Sequence, residues 1–242
     1  MRYGAKTDKG MNRSRNEDNF CMANLPYMPF ALFAVADGVG GHKSGDVASR
    51  ICAEHFADQY EQLSLGDRRE GPTDFLRRVS QEANEEIIRQ SCDEQHTDMG
   101  TTLVASAVTG NRIVTINFGD SRAYILSGGE LKQITSDHTI YADFVRSGRF
   151  TDDEAKKLYG SNRITNALGF FACPTGDIFI NEYRHGDKLI LCSDGLTGMV
   201  EPGEIRDIAL ADEPAGILAE KLVDAANARG GRDNITVIVV IL

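Results

Sequence analysis

The apolar positions of the chain follow two periods. Residues 30–36, 101–108, 111–118, 121–126, 177–183, 188–192 and 234–242 are short runs rich in Val, Ile, Thr, Ala, Phe and Leu. Glycine, proline, asparagine or aspartate flanks each, so each predicts a strand. Residues 2–8 and 19–22 predict two more. The run 234–242 is almost wholly apolar and is expected to be buried on both faces. Elsewhere the period is helical. From Ser44, Val47, Ile51 and His55 share a stripe, with Ala48, Cys52 and Phe56 beside it. Leu76, Val79, Ala83 and Ile87 mark a second helix, ending near Ser91. Residues 201–210 and 214–228 predict two more, the latter through Leu218, Leu222 and Ala225. Residues 62–72 read as a polar loop. Thr109-Gly110-Asn111 and Gly128-Gly129 are turn signals, which makes 100–135 an antiparallel meander.

Strands, a helix pair, more strands, helices and a last strand lack the regular alternation of a doubly wound parallel sheet. The expected class is α+β, with antiparallel sheet packed on helix pairs. No linker divides the chain, so residues 1–242 read as a single domain. Residues 138–166 are polar, charged and irregularly helical, and their length suggests a functional excursion.

Of the 242 residues 41% are hydrophobic, enough for a substantial core. The formal net charge of −10 disfavours nucleic acid as a partner, because phosphate backbones call for basic surfaces. No apolar run approaches the roughly 18 residues that would span a bilayer, and Met1 to Gly4 do not open a signal peptide. Five scattered cysteines, none in C-x-x-C spacing, fit a reducing cytoplasm and argue against a disulfide framework or thiolate zinc site.

Four aspartates share a grammar. Asp37 follows the run 30–36 and precedes Gly38; Asp120 follows Gly119; Asp194 follows 188–192 and precedes Gly195; Asp233 follows Gly230-Gly231-Arg232 and precedes the last strand. Any one of them reads as a turn residue. Together they could converge at one end of the sheets, where crowded carboxylates need cations. Hard oxygen ligands select Mg²⁺ or Mn²⁺ over zinc, and the histidines lack H-E-x-x-H spacing. The glycines after Asp37 complete neither phosphate-cradling signature, since Lys43 stands where G-x-G-x-x-G needs its third glycine. Two divalent ions about 3.5–4 Å apart can activate water and clamp a phosphoryl group. Arg13, near Glu17 and Asp18, is the candidate cation for phosphate oxygens; its plain alternative is a solvated arginine.

Six motifs occur in order: Arg13-Ser14-Arg15-Asn16-Glu17-Asp18, Ala36-Asp37-Gly38-Val39-Gly40-Gly41-His42, Gly100-Thr101-Thr102, Gly119-Asp120-Ser121-Arg122-Ala123-Tyr124, Leu191-Cys192-Ser193-Asp194-Gly195-Leu196 and Arg232-Asp233-Asn234-Ile235-Thr236. In this order they resemble the metal-dependent serine/threonine protein phosphatases of type 2C, in their compact bacterial form. The resemblance implies a four-layer α-β-β-α sandwich of two antiparallel sheets with a dinuclear metal cleft at one end. It implies two Mn²⁺ or Mg²⁺ ions, bridged by Asp37. The carbonyl of Gly38 would serve the first ion and Asp194 and Asp233 the second, with Glu17 and Asp18 binding directly or through water. Asp120 would serve a third, weaker site, for which some members offer a serine near the place that Asn162 takes here. Arg13 would bind the substrate phosphate, and 138–166 would form a flap. Animal-type members carry a histidine directly after the Asp-Gly pair; here that place is Val39, and His42, a substrate-side candidate, lies further on.

The implied activity is hydrolysis of phosphoserine and phosphothreonine by in-line attack of metal-activated water. The implied partners are phosphorylated proteins, substrates of a cognate Ser/Thr kinase, and the enzyme is expected to be a cytoplasmic monomer with no nucleic-acid or membrane partner. A catalytically silent interaction domain on the same fold is the alternative; loss of metal aspartates would mark it, and none is lost. A metal-dependent nuclease fits the charge poorly. No cysteine has an arginine six positions on, and neither D-x-D nor G-N-H-[DE] occurs, which excludes three other phosphatase chemistries.

Overall fold

The computed structural model describes residues 1–40, 44–66, 70–91, 99–148, 150–151, 154 and 163–242. Its elements are β1 (Arg2–Asp8), β2 (Asp18–Ala23), β3 (Ala31–Gly40), α1 (Gly45–Leu65), α2 (Pro72–Ser91), β4 (Met99–Thr101), β5 (Leu103–Thr109), β6 (Arg112–Phe118), β7 (Arg122–Ser127), β8 (Glu130–Gln133), α3 (Ile140–Arg146), β9 (Asp177–Glu182), β10 (Lys188–Cys192), α4 (Asp194–Thr197), α5 (Pro202–Ala209), α6 (Ala215–Ala228) and β11 (Ile235–Ile241). They form two antiparallel sheets, one ordered β1-β11-β10-β7-β8 and the other β2-β3-β5-β6-β9, with β4 added against β3.

The apolar runs explain the layering. Alternate residues of a strand face opposite ways, and here both faces are covered. On β3, Ala31, Phe33 and Val35 pack between the sheets, while Leu32, Ala34 and Ala36 pack toward α1 and α2. On β11, Ile238 and Val240 face the other sheet, while Val237 and Val239 meet α5 and α6. Each of the larger side chains (Phe33, Val35, Leu32 and the β11 valines and isoleucine) contributes about 1.5–3 kcal/mol when buried. Three cores stacked this way make helix, sheet, sheet, helix, the order the resemblance implies.

The expected meander over 100–135 is instead split between the sheets: β5 pairs with β6 in one and β7 with β8 in the other, so the chain crosses from sheet to sheet after β6. The Gly128-Gly129 hairpin turn has positive φ at both residues (58° and 87°) and joins the pair Ser127–Glu130. Other expectations shift. β3 does not stop at Ala36 but runs to Gly40, because β4 pairs with Gly38, Val39 and Gly40. The expected strand 101–108 is divided at Thr102 into β4 and β5. α1 continues through the first residues of the expected loop, burying Leu63. Its buried stripe is Ala48, Cys52 and Phe56, one position on from the stripe through Val47 and His55. His55 sits at the flank, with Nε2 3.3 Å from Glu82 Oε2. α4, a single turn, has no periodic signal to reveal it. Among the described residues no helix is long and apolar enough to cross a membrane.

Candidate active site

Five places in the chain meet at one end of the sandwich: the start of β2, the end of β3, the β6–β7 turn, the β10–α4 junction and the approach to β11. Arg13, Glu17, Asp37, Gly38, Asp120, Asp194 and Asp233 all line one cleft of about 190 Å³, with Val39, Gly40 and Ile164 completing its wall. Asp18 stands behind it, buried, directly opposite Asp37 in the β2–β3 register. His42 lies outside the described residues, as do Gly41, Lys43 and Asn162, and so does part of the expected flap.

Backbone contacts fix these positions. The N–H of Asp37 donates to Thr102 Oγ1 (3.1 Å), and its carbonyl accepts from the N–H of Thr102 (2.8 Å) and from Thr101 Oγ1 (2.9 Å). A β-carbon on Gly38 would collide with the carbonyl oxygens of Gly45 and Glu17, so only glycine permits this crossing of β3, α1 and the β2 approach. Gly195 likewise passes against the carbonyl of Asn234. Asn234, part of the last motif but given no role there, is a hub. Its Oδ1 accepts from the Glu17 N–H, and its Nδ2 donates to the carbonyls of Lys9 and Arg15, each at 2.8 Å. The loop carrying Arg13 is thereby tied to β11. Ser193 Oγ donates to Asp18 Oδ2 (2.7 Å) and accepts from the Thr236 N–H (2.9 Å). Both stand inside motifs, next to Asp194 and Asp233, but a motif does not say which distant backbone groups they bond.

The electrostatics are strained in one direction. Burial raises Asp37 well above the ordinary carboxylate range, reinforced by Asp18, Asp194, Asp120 and Asp233. Burial lifts Asp18 to about 6, and lifts Asp120 to about 7 with help from Asp194. Asp194 is raised by burial and then Asp233, and Glu17 by burial and then Asp46. Desolvation and like charge both disfavour the ionised form, and a cation would reverse both. Arg13 is the one cation among the described lining residues. Its Nη2 donates to Asp233 Oδ2 at 2.7 Å, with both side chains partly exposed.

Divalent metal fits this donor set. Asp18 Oδ1 is buried and has no hydrogen-bond partner, a costly state for a carboxylate oxygen. All the side-chain donors are oxygens, which suits Mg²⁺ or Mn²⁺. Among the described residues, however, no three acidic, histidine or cysteine side chains are gathered into a group already able to hold an ion. The carboxylates share a cleft rather than a point, as repelling charges would. The implied dinuclear arrangement is thus not displayed.

The protein phosphatase 2C family model matches residues 10–224. The chain belongs to the protein phosphatase 2C family. The serine/threonine phosphatase stp of Listeria monocytogenes is 36% identical over 237 residues, spanning 97% of this chain and 93% of the relative. The crystal structure of Stp1 from Staphylococcus aureus matches with a TM-score of 0.91 and 30% identity, over 100% of this chain and 95% of that one. The catalytic domain of PstP, solved in complex with two manganese ions, matches with a TM-score of 0.82 and 36% identity, over 98% and 96%. Family membership agrees with the four-layer fold and with the order of the six motifs.

Proposed function

We propose that this family member is a metal-dependent protein phosphatase for phosphoserine and phosphothreonine. The carrying observation is one cleft that gathers the motif carboxylates around a single arginine. Asp37, the Gly38 carbonyl, Asp194 and Asp233 would hold two ions, Glu17 and Asp18 would support the second, and Asp120 would serve a third. When bound, Mn²⁺ or Mg²⁺ supplies activated water for in-line attack and offsets charge on the phosphoryl oxygens.

The chain's own groups do the rest. Arg13 offers a planar fork of N–H donors at the cleft mouth, where phosphoryl oxygens would compete with Asp233 for it. Thr101 and Thr102 hold the backbone of Asp37, and Asn234 holds the loop of Arg13, so acceptor and donor face one cleft without reorganisation. His42 is assigned to the substrate side, and 138–166 to a flap that affects substrate choice.

The substrates are phosphorylated proteins, the products of a Ser/Thr kinase. The net charge of −10 supports an enzyme without nucleic-acid or membrane partners. It acts in the cytoplasm as a monomer, with residues 1–242 forming one domain. The test is a phosphopeptide panel assayed with Mn²⁺, Mg²⁺ and chelator. Turnover of phosphoserine and phosphothreonine peptides with either ion, and none in chelator, is expected. Full turnover in excess chelator, or a preference for phosphotyrosine, would reject the reading.

A further inference from the structure

A second cavity, of about 360 Å³, opens beside the catalytic cleft and shares Val39 and Ile164 with it as a common wall. Ala167, Phe170 and Phe171 give it its remaining apolar surface, and none of its described lining residues is charged. The contrast with the neighbouring acidic cleft is abrupt. Phe170 and Phe171 are 46% and 50% exposed, an unusual state for two adjacent aromatic residues.

The aromatic shelf is held firmly. Buried Asn84 of α2 accepts from the Gly169 N–H (2.8 Å) and donates to the Phe171 carbonyl (3.0 Å). Leu168 exchanges two 3.0 Å hydrogen bonds with Thr101. Thr101 in turn bonds the carbonyl of Asp37. The Phe170 ring lies over Gly100, where a β-carbon would come within 2.5 Å of it. The shelf is thus fixed relative to Asp37 by a short chain of hydrogen bonds, and an apolar group landing there loses little to reorganisation.

We propose that this cavity is a substrate subsite for an apolar side chain of the phosphoprotein, within two residues of the phosphorylated one. The proposal rests on the phosphatase reading above. The occupant follows from continuity: a chain whose phosphate enters the acidic cleft and leaves over the shared wall of Val39 and Ile164 passes directly into this apolar cavity. Successive side chains of an extended peptide lie about 3.3 Å apart along the strand and alternate in direction. A residue one or two positions away therefore reaches the adjoining cavity.

The test is a set of phosphothreonine peptides with alanine flanks, in which leucine replaces alanine at one position at a time from −2 to +2, assayed with Mn²⁺. Leucine at one of these positions should raise kcat/KM about tenfold over the all-alanine peptide, the scale of discrimination apolar pockets reach. Phe170→Ala and Phe171→Ala should lower that ratio toward one. The ratio compares two substrates on one preparation, so it is insensitive to the fraction of protein that folds. Phe171→Glu should move the preference from leucine to lysine at the same position. A wild-type ratio near one at every position, or a ratio that survives all three variants, overturns the proposal while leaving the phosphatase reading intact. A wild type that turns over neither peptide removes the reading and the proposal with it. A homodimer that Phe171→Glu dissociates, with peptide selectivity unchanged, assigns the shelf to a second copy of the chain and also overturns it.

Discussion

Two regions of the same strand behave as opposites. Between the sheets, β3 places Phe33 and Val35 in a dry core where neither is exposed at all. Two residues past Val35 the strand delivers Asp37 into a cleft whose carboxylates repel one another. The first region supplies stability; the second is the one to which the chemistry is assigned, and it costs stability when no cation is present. The lesson is that the sheet pairing must be strong enough to hold the second region in place. It does so through ordinary ladder bonds: β2, β4 and β5 all pair with β3 around Asp37.

The largest loss is expected in the core. Phe33→Ala should destabilise the protein by about 3–5 kcal/mol, the range for deleting a buried phenylalanine. Denaturant unfolding in chelator and in Mn²⁺ should give the same loss, because the cavity lies away from the cleft.

Next comes pH. A carboxyl group that holds its proton more tightly in the folded chain adds stability below its unfolded pKa and loses it as pH climbs to the folded value. Asp18 rises from an ordinary 3.8 to about 6, and Asp120 from 3.8 to about 7. In chelator, stability should therefore fall as pH is raised from about 4 to about 7. Asp18 alone accounts for a loss on the order of 3 kcal/mol. Thermal melts across this range would show it, and saturating Mn²⁺ at pH 7 should restore the loss. A chelated protein whose stability rises over the same range would contradict the strained cleft.

Arg13→Ala should raise the Michaelis constant for phosphopeptides by about 10–100-fold, the weight of a charge-assisted hydrogen bond of about 1.5–3 kcal/mol. Metal affinity, followed by calorimetry, should change far less. A large loss of metal affinity with an unaltered Michaelis constant would place Arg13 elsewhere.

The smallest effect on stability is expected at Asp233. Asp233 pairs with Arg13 rather than with the neighbouring Arg232, and partly exposed pairs of this kind contribute no more than about 1 kcal/mol. Asp233→Asn should leave the melting temperature in chelator within a few degrees of wild type. It should also abolish turnover and shrink the stabilisation gained on adding Mn²⁺. Surviving turnover would refute the metal assignment.

How much of this could be read from the chain follows from the physics. Strands buried on both faces, such as β10 and β11, announce themselves as apolar runs. The extension of β3 through Asp37 and Gly38 does not, because carboxylates and glycines are poor strand formers and pairing holds them there, Asp37 against Asp18 of β2 and Gly38 against Thr101 of β4. The four aspartates were legible from their shared setting at strand ends. That Asp18 faces Asp37 was not, since register is a tertiary property. Nor was the role of Asn84, 85 residues from the Gly169 N–H it accepts.

The pairing of β1 with β11 has a consequence for synthesis. β1 has no other neighbour in its sheet, and Thr7 meets Thr236 at 2.7 Å across 229 residues of chain. Contacts of such long range form late, after the loop between them has been closed. On the ribosome, β1 emerges before the other described strands and waits, unpaired, until β11 is made. The Arg13 loop waits with it, since Asn234 anchors that loop. The cleft is therefore completed only as residues 233–241 leave the exit tunnel, so a nascent phosphatase cannot act on phosphoproteins before β11 is delivered.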